Sequence, residues 1–297
     1  MLITPASFGD NLTEWFRLMG RVWKPLLLSS LVGAVPMGIG VALVFWWTGA
    51  TGALIELTDL AELGPTDVSE LLAAAGPLLW AVGMATALQA VATIFIYVAA
   101  SRTVAEDRAG LQPSWGAVSR FGISRLVTGV AAGCVLLVGF LIIGGVATAL
   151  GWLLVSNFEV NFLTVFVTAV VALTAAVMLV WVSISVALYP QAIAMEQTGP
   201  IKSLGRSFRL IRNRWWMTVG FLMVVSLIAS ITAQALSIAV IPMFLWGKVV
   251  PEVIAIGYGF IAIVQGPVAA AIASGYAVWY IDLRAREAPL TAEQLVV

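Results

Sequence analysis

Histidine is absent from this sequence and cysteine occurs once, which removes several kinds of chemistry at the outset. Without histidine there are no imidazole acid/base relays, no histidine metal ligands and no Ser/His/Asp triads. A single cysteine, Cys134, can form neither an intramolecular disulfide nor a thiolate metal cluster. Metal sites built from carboxylates alone remain open. No motif points to one, and we expect neither a bound metal nor a cofactor.

Charged residues are also scarce. They make up 10% of the chain, against roughly a quarter in soluble domains, while 61% of the residues are hydrophobic and the mean hydropathy is +1.04. Six long stretches contain no Asp, Glu, Lys or Arg. Because one such residue at the centre of a span costs roughly 2.5 to 3.5 kcal/mol, these stretches predict transmembrane helices. They are 25–47, 73–100, 126–155, 162–189, 216–245 and 254–281.

The six spans and their connections use nearly all of the 297 residues. No remaining stretch approaches the roughly 100 residues of an independent soluble domain. We therefore expect an all-α integral membrane protein with a single membrane domain over residues 1–297, in which 282–297 form a tail.

The charged residues that do occur are divided between alternate gaps. The gaps that include both termini hold 14 basic and 8 acidic residues, and the others hold 1 basic and 7 acidic residues. Short loops rich in Lys and Arg stay in the cytoplasm. This division predicts a multi-pass protein of the bacterial cytoplasmic membrane with both termini inside. Charges throughout the first 24 residues are unlike a cleaved signal peptide, so we expect the first span to remain.

Three basic amphipathic segments precede the odd-numbered spans, at Phe8–Lys24, Pro113–Arg125 and Ile201–Trp216. Each is typical of a helix that lies in the membrane interface. The tripeptide at 16–18 also matches that at 208–210, and both are followed by Trp at the same distance. An interfacial helix plus a transmembrane hairpin is therefore a candidate threefold repeat. The alternative is that basic aromatic segments commonly precede spans that start inside.

The first outer loop, Thr48–Leu72, is acidic and contains no basic residue. Its leucines at 54, 57, 60 and 63 have near-helical spacing and predict a short surface helix. Asp67 and Glu70 have the spacing of a capping box that would open the second span.

Two blocks carry a family resemblance. The first runs YPQAIAMEQTGP from Tyr189 and continues to Trp216, and the second runs YIDLRARE from Tyr280. Together they resemble the bacterial membrane-domain family named after the membrane portion of glycerophosphoryl diester phosphodiesterase, mainly over the second half of the chain. Those enzymes carry their chemistry on a separate soluble barrel with catalytic histidines and a metal. This chain has neither, so the resemblance implies only the membrane architecture and a partner-associated or lipid-related role.

A set of charged residues falls at the inner membrane boundary. It consists of Glu196, Arg206, Arg209, Arg212, Asp282 and Arg284. The structural interpretation is an ion-pair network that docks the third amphipathic segment beneath the spans. The functional interpretation is a binding site for an anionic lipid headgroup or a protein partner, since the planar guanidinium suits phosphate and carboxylate. Arg209, Arg212 and Arg214 add a basic stripe that anionic lipids would attract.

Within the spans the most polar side chains are three amides, Gln89, Gln234 and Gln265. They are candidates for hydrogen bonds between helices. The other interpretation is the polar lining of a substrate cavity, which bends at Pro36, Pro242 and Pro267 would favour.

Small residues predict close helix packing on two spans. Span three has Gly129 and Gly133, and span six has the ladder Ala262, Gly266, Ala270 and Ser274. The partner helix of each lies either in the same chain or in another subunit.

We expect a non-catalytic scaffold or accessory subunit that binds membrane lipids, a partner membrane protein or a second copy of itself. The alternative is a permease or exporter of a hydrophobic or lipid-like compound. The spans lack the ionisable residues that proton relays use. A membrane-embedded enzyme would need convergent carboxylates, and only Glu196 and Asp282 come close. No phosphate loop or dinucleotide fingerprint occurs, and we expect no nucleic-acid partner.

Overall fold

A computed structural model describes residues 2–50, 68–158, 161–238, 242 and 251–295. Within these ranges the chain forms eight α-helices and two short strands. The helices are α1 (Phe8–Trp47), α2 (Val68–Arg108), α3 (Trp115–Asn157), α4 (Phe162–Val186), α5 (Tyr189–Glu196), α6 (Pro200–Arg212), α7 (Trp215–Ser237) and α8 (Pro251–Glu287). Strands β1 (Leu2–Ile3) and β2 (Leu290–Thr291) lie near the two ends, and a 3₁₀ helix follows at Ala292–Leu295.

Six helical stretches are long and apolar enough to cross a membrane. They belong to α1, α2, α3, α4 with α5, α7 and α8, in the order predicted for spans one to six. The prediction of an all-α, multi-pass membrane protein is therefore confirmed. The leucine-rich helix predicted in the first outer loop and Asp67 of its capping box lie outside the described residues.

The three amphipathic segments take three different forms. The first is continuous with span one in α1, apart from a local break at Val22, where φ is −114° and ψ is 20°. The second runs directly into span three within α3. Only the third is a helix of its own, α6. All three segments are helical, as predicted, but only α6 is separated from its span, so the helix boundaries do not follow a threefold repeat.

The part of α1 that precedes the break is fixed at both of its ends. Ser7 and Asp10 form a capping box at the first turn, and their hydrogen bonds lower the pKa of Asp10. Near the break, Arg21 bonds Glu14 at 2.9 Å and Asp107 of α2 at 2.7 Å. These two carboxylates raise the pKa of Arg21, which therefore stays charged. Ion pairs thus tie the amphipathic part of α1 to the end of α2.

Spans one, two and six form the centre of the bundle. The backbones of α1 and α8 come close where two glycines meet: a Cβ on Gly38 would lie 2.5 Å from the carbonyl oxygen of Gly259, and the reverse distance is 2.6 Å. Spans three and four are peripheral, and the most apolar stretch of span four has no buried residue. The core therefore depends on the first and last spans of the chain.

The predicted small-residue motifs pack within the chain. A side chain on Gly129 would collide with Ile94 of α2, and one on Gly266 would collide with Ala34 of α1. Ser274, the last step of the ladder on α8, accepts a hydrogen bond from the indole of Trp15 at 3.0 Å. Both motifs thus join helices of one chain.

The two ends of the chain meet on one side of the bundle. Strands β1 and β2 pair in antiparallel fashion, with Leu2 opposite Thr291 and Ile3 opposite Leu290. This pairing requires the ends of α1 and α8 to lie on the same side, as an even number of spans demands. We call this side the terminal face.

Candidate functional site

The site is organised by a break at the end of span four. Helix α4 ends at Val186, and the short helix α5 begins at Tyr189 with Pro190 in its first turn. Proline carries no backbone N–H and cannot continue the ladder of hydrogen bonds. Residues 190–195 of α5 are all buried. The break therefore lets the short helix α5 turn away from α4 and bury its side chains beneath the spans.

Ser207 of α6 compensates for this break. Its hydroxyl accepts a hydrogen bond from the backbone N–H of Leu188 and donates one to the carbonyl of Ser185, both at 3.1 Å. Buried backbone groups left unpaired cost free energy, so one hydroxyl satisfies two of them. This contact places α6 against the end of span four.

A carboxylate on α5 is the centre of the ion-pair network. One oxygen of Glu196 contacts the Nε atoms of Arg206 at 2.8 Å and Arg284 at 3.2 Å, and it accepts a hydrogen bond from the Tyr280 hydroxyl at 2.7 Å. Arg206 also pairs with Glu287, which contacts Arg209 at 3.3 Å. The network thus joins α5, α6 and the end of α8.

The two largely buried arginines of this network are matched by two carboxylates. Arg206 and Arg284 have side chains only 14% and 16% exposed, and they face Glu196 and Glu287. Burial by itself would lower the pKa of Arg206, but the two carboxylates outweigh it and raise that pKa. The guanidinium groups are therefore charged but already neutralised. Such an arrangement docks a helix and leaves little charge for a ligand.

A cavity of about 600 Å³ adjoins the network. Arg206, Arg284, Glu196 and Glu287 line it together with residues that follow α8. One nitrogen of Arg284, Nη1, is buried and has no hydrogen-bond partner among the described residues. This atom is a buried donor that the network leaves for an additional acceptor within the described part of the cavity.

The predicted set of charges does not act as a single unit. Asp282 lies apart from Glu196: it accepts from Arg286 at 2.6 Å and from the backbone N–H of Ala6 at 2.7 Å. Its expected place in one common network is wrong, because the turn of α8 aims it at the N-terminal segment. Arg212 has no carboxylate partner among the described residues.

Two of the three intramembrane amides meet. Gln89 of α2 donates to the side-chain oxygen of Gln265 of α8 at 3.5 Å. Gln234 lies on an exposed part of α7. The pair at Gln89 and Gln265 has the geometry of a hydrogen bond between helices, which supports that interpretation over a polar cavity lining.

Three contributors escaped the sequence reasoning. Tyr280 and Glu287 complete the network, and Ser207 repairs the helix break. Tyr280 and Glu287 are seven positions apart, which places them on one face of α8, but nothing in the sequence indicates that Glu196 and Arg206 lie beside that face. A proline next to Tyr189 was the available signal for the break.

No group of three or more Cys, Asp or Glu side chains in the described ranges is arranged to hold a metal ion. Comparison with protein families then gives one result. A family described as "Domain of unknown function (DUF7847)" matches residues 28–281. The chain belongs to this family. No curated protein and no solved structure matches it. The resemblance to the phosphodiesterase membrane portion stays a prediction.

Proposed function

We propose that this member of the DUF7847 family is a non-catalytic scaffold or accessory subunit of the bacterial cytoplasmic membrane that binds anionic lipids at its terminal face. The observation that carries the proposal is that some basic residues of α6 and of the turn after it form ion pairs and others do not. Arg206 is consumed by ion pairs with Glu196 and Glu287. Lys202, Arg212 and Arg214 have no ion pair within the described residues, and no acidic residue lies between Pro200 and Trp216.

The position of these cations supports the same proposal. Helix α6 is held against the spans at the level where α4 ends and α7 begins. In a bilayer that covers the six spans, this level is that of the headgroups. Fourteen of the fifteen basic residues fall in the gaps of the terminal face, which supports its placement in the cytoplasm. Anionic lipids of the inner leaflet attract such residues by about 1 kcal/mol each.

Lipid retention tests the proposal. The full chain is extracted from its own membrane in mild detergent, and mass spectrometry of the intact particle counts bound lipids and partner subunits. We expect retained phosphatidylglycerol. Replacing the unpaired Lys202, Arg212 and Arg214 together by Gln should weaken retention by about 3 kcal/mol, or roughly 100-fold.

The matched control exchanges the cations at the same positions, with Lys202→Arg, Arg212→Lys and Arg214→Lys, because it keeps the charge and should keep the lipid. A bare wild-type monomer without lipid or partner, or equal retention by the Gln and wild-type chains, would contradict the proposal.

A further inference from the structure

A cleft opens between spans four and five near the terminal face. Helices α4 and α7 contact each other little, and the space between them measures about 710 Å³. Its walls include Val177, Val180 and Trp181 of α4, and its mouth is formed by Arg212, Asn213 and Trp215. The volume lies within the range of 300 to 1,000 Å³ that is usual for ligand sites.

The walls of the cleft are apolar, and helix α6 packs against one of them. Ala176, Val177, Val180 and Trp181 fall on one face of α4 and extend over about 7.5 Å of its length. Trp181 packs edge-on against Phe208 of α6, with ring centroids 5.5 Å apart. The docked helix α6 therefore fixes the aromatic side of the cleft.

The mouth offers donors without partners. The indole nitrogen of Trp215 is buried and has no hydrogen-bond partner in the described ranges. Arg212 has no carboxylate partner there either, and the described residues that line the cleft include no acidic one. A buried N–H without an acceptor is costly, so the mouth favours an occupant that brings acceptor oxygens and negative charge.

These features identify the occupant by its chemistry. A planar guanidinium suits phosphate, and a tryptophan at the membrane boundary combines an apolar ring with a polar N–H. An apolar molecule would leave Arg212 and the indole N–H unused. A free phosphate would leave the apolar walls unfilled. A phospholipid with an anionic headgroup satisfies both parts.

We infer that the cleft holds one anionic phospholipid, with its phosphate at Arg212 and Asn213. A phosphate or ester oxygen accepts from the indole N–H of Trp215, and one acyl chain lies along Val177 and Val180. The inference rests on the proposed function and deepens it, since it replaces a diffuse attraction by one defined site.

Titration of delipidated full-length protein with dioleoyl phosphatidylglycerol, followed by mass spectrometry of the intact complex, tests the site. We expect one tightly held lipid per chain. Arg212→Gln should weaken this lipid about 10- to 100-fold, and Trp215→Phe, which removes only the N–H, about fivefold. The controls Arg17→Gln and Trp152→Phe change the same residue types outside the cleft and should bind as the wild type does.

A second variant keeps the test independent of the mouth. Val177 is 60% exposed, so Val177→Trp should leave the fold intact and fill the cleft, and it should expel the lipid although Arg212 is unchanged. Size-exclusion profiles and helical content of every variant establish that it is folded.

Each outcome has a definite meaning. Equal weakening by Arg17→Gln and Arg212→Gln would overturn the cleft and leave diffuse lipid binding in place. A wild-type chain that binds no lipid would overturn both. Competition by glycerol phosphate as strong as by the intact phospholipid would show an anion site without a lipid, and would also overturn the inference.

Discussion

The crossing of spans one and six offers a sharp test of the packing, through the single substitution Gly38→Ala. The added methyl would lie 2.5 Å from the carbonyl oxygen of Gly259, which belongs to the backbone and cannot turn aside. Overpacking of this kind costs typically 1 to 3 kcal/mol. Gly83→Ala is the matched control, because a Cβ on Gly83 meets nothing within 4 Å and the variant gains the same helix propensity.

The assay is unfolding in mixed micelles by increasing fractions of dodecyl sulfate, followed by circular dichroism. We expect the free energy of unfolding of Gly38→Ala to be about 1 to 3 kcal/mol below that of Gly83→Ala, since the propensity gain cancels in the comparison. Gly259→Ala should lower the free energy of unfolding less in the Gly38→Ala variant than in the wild type, because the first methyl has already moved the helices apart. Equal stability of Gly38→Ala and Gly83→Ala would refute the close crossing.

Three further predictions concern the terminal face, and the first two use the same unfolding assay. Ser207→Ala should lower the free energy of unfolding by about 1 to 3 kcal/mol, because two buried backbone groups lose their partner. The control Ser203→Ala should lower it less, because the Ser203 hydroxyl donates to a carbonyl of its own helix. Equal losses would contradict the prediction. Glu196→Gln should lower the free energy of unfolding by about 1.5 to 3 kcal/mol, and the exposed control Glu293→Gln should leave it almost unchanged. A Glu196→Gln variant as stable as the wild type would show that the network does not dock α6. Hydrogen bonds from Ser7 lower the pKa of Asp10 below its ordinary value of 3.8, so the contribution of Asp10 to stability is complete above pH 3.8 and is lost as the pH falls through the lowered pKa. Between about pH 5 and pH 2 the free energy of unfolding of Asp10→Asn should therefore vary less with pH than that of the wild type. An equal pH dependence of the two proteins would refute the cap.

The spans were predictable because their signal is local. A stretch without charge and long enough to cross the bilayer is read directly from the sequence, and the predicted starts at Phe162 and Trp216 agree with α4 and α7 to within one residue. The small residues at Gly129 and Gly266 were also identified from their spacing. Their partners, Ile94 and Ala34, were not, since spacing alone carries no information on the opposing helix.

The site was predictable only in part because its pairings span long distances in sequence. Glu196 and Arg284 are far apart in the chain, and their common position at the membrane boundary was the only available indication. That indication applied equally to Asp282, which instead contacts Ala6. A position at the end of a span fixes how deep a residue lies in the membrane, but it does not fix which side of the helix the residue occupies. Charged residues at the same depth were therefore grouped although they face different neighbours. The division between Arg206 and Arg212 on α6 has the same cause.

The pairing of β1 with β2 has a consequence for synthesis of the protein. A ribosome makes Leu2 and Ile3 before the first span, whereas the strand that pairs with them is translated after the last span. Until then the edge of β1 remains unpaired on the terminal face, available to chaperones and proteases. Closure of this small ribbon therefore requires that all six spans have been made, and a chain truncated before β2 would keep the open edge.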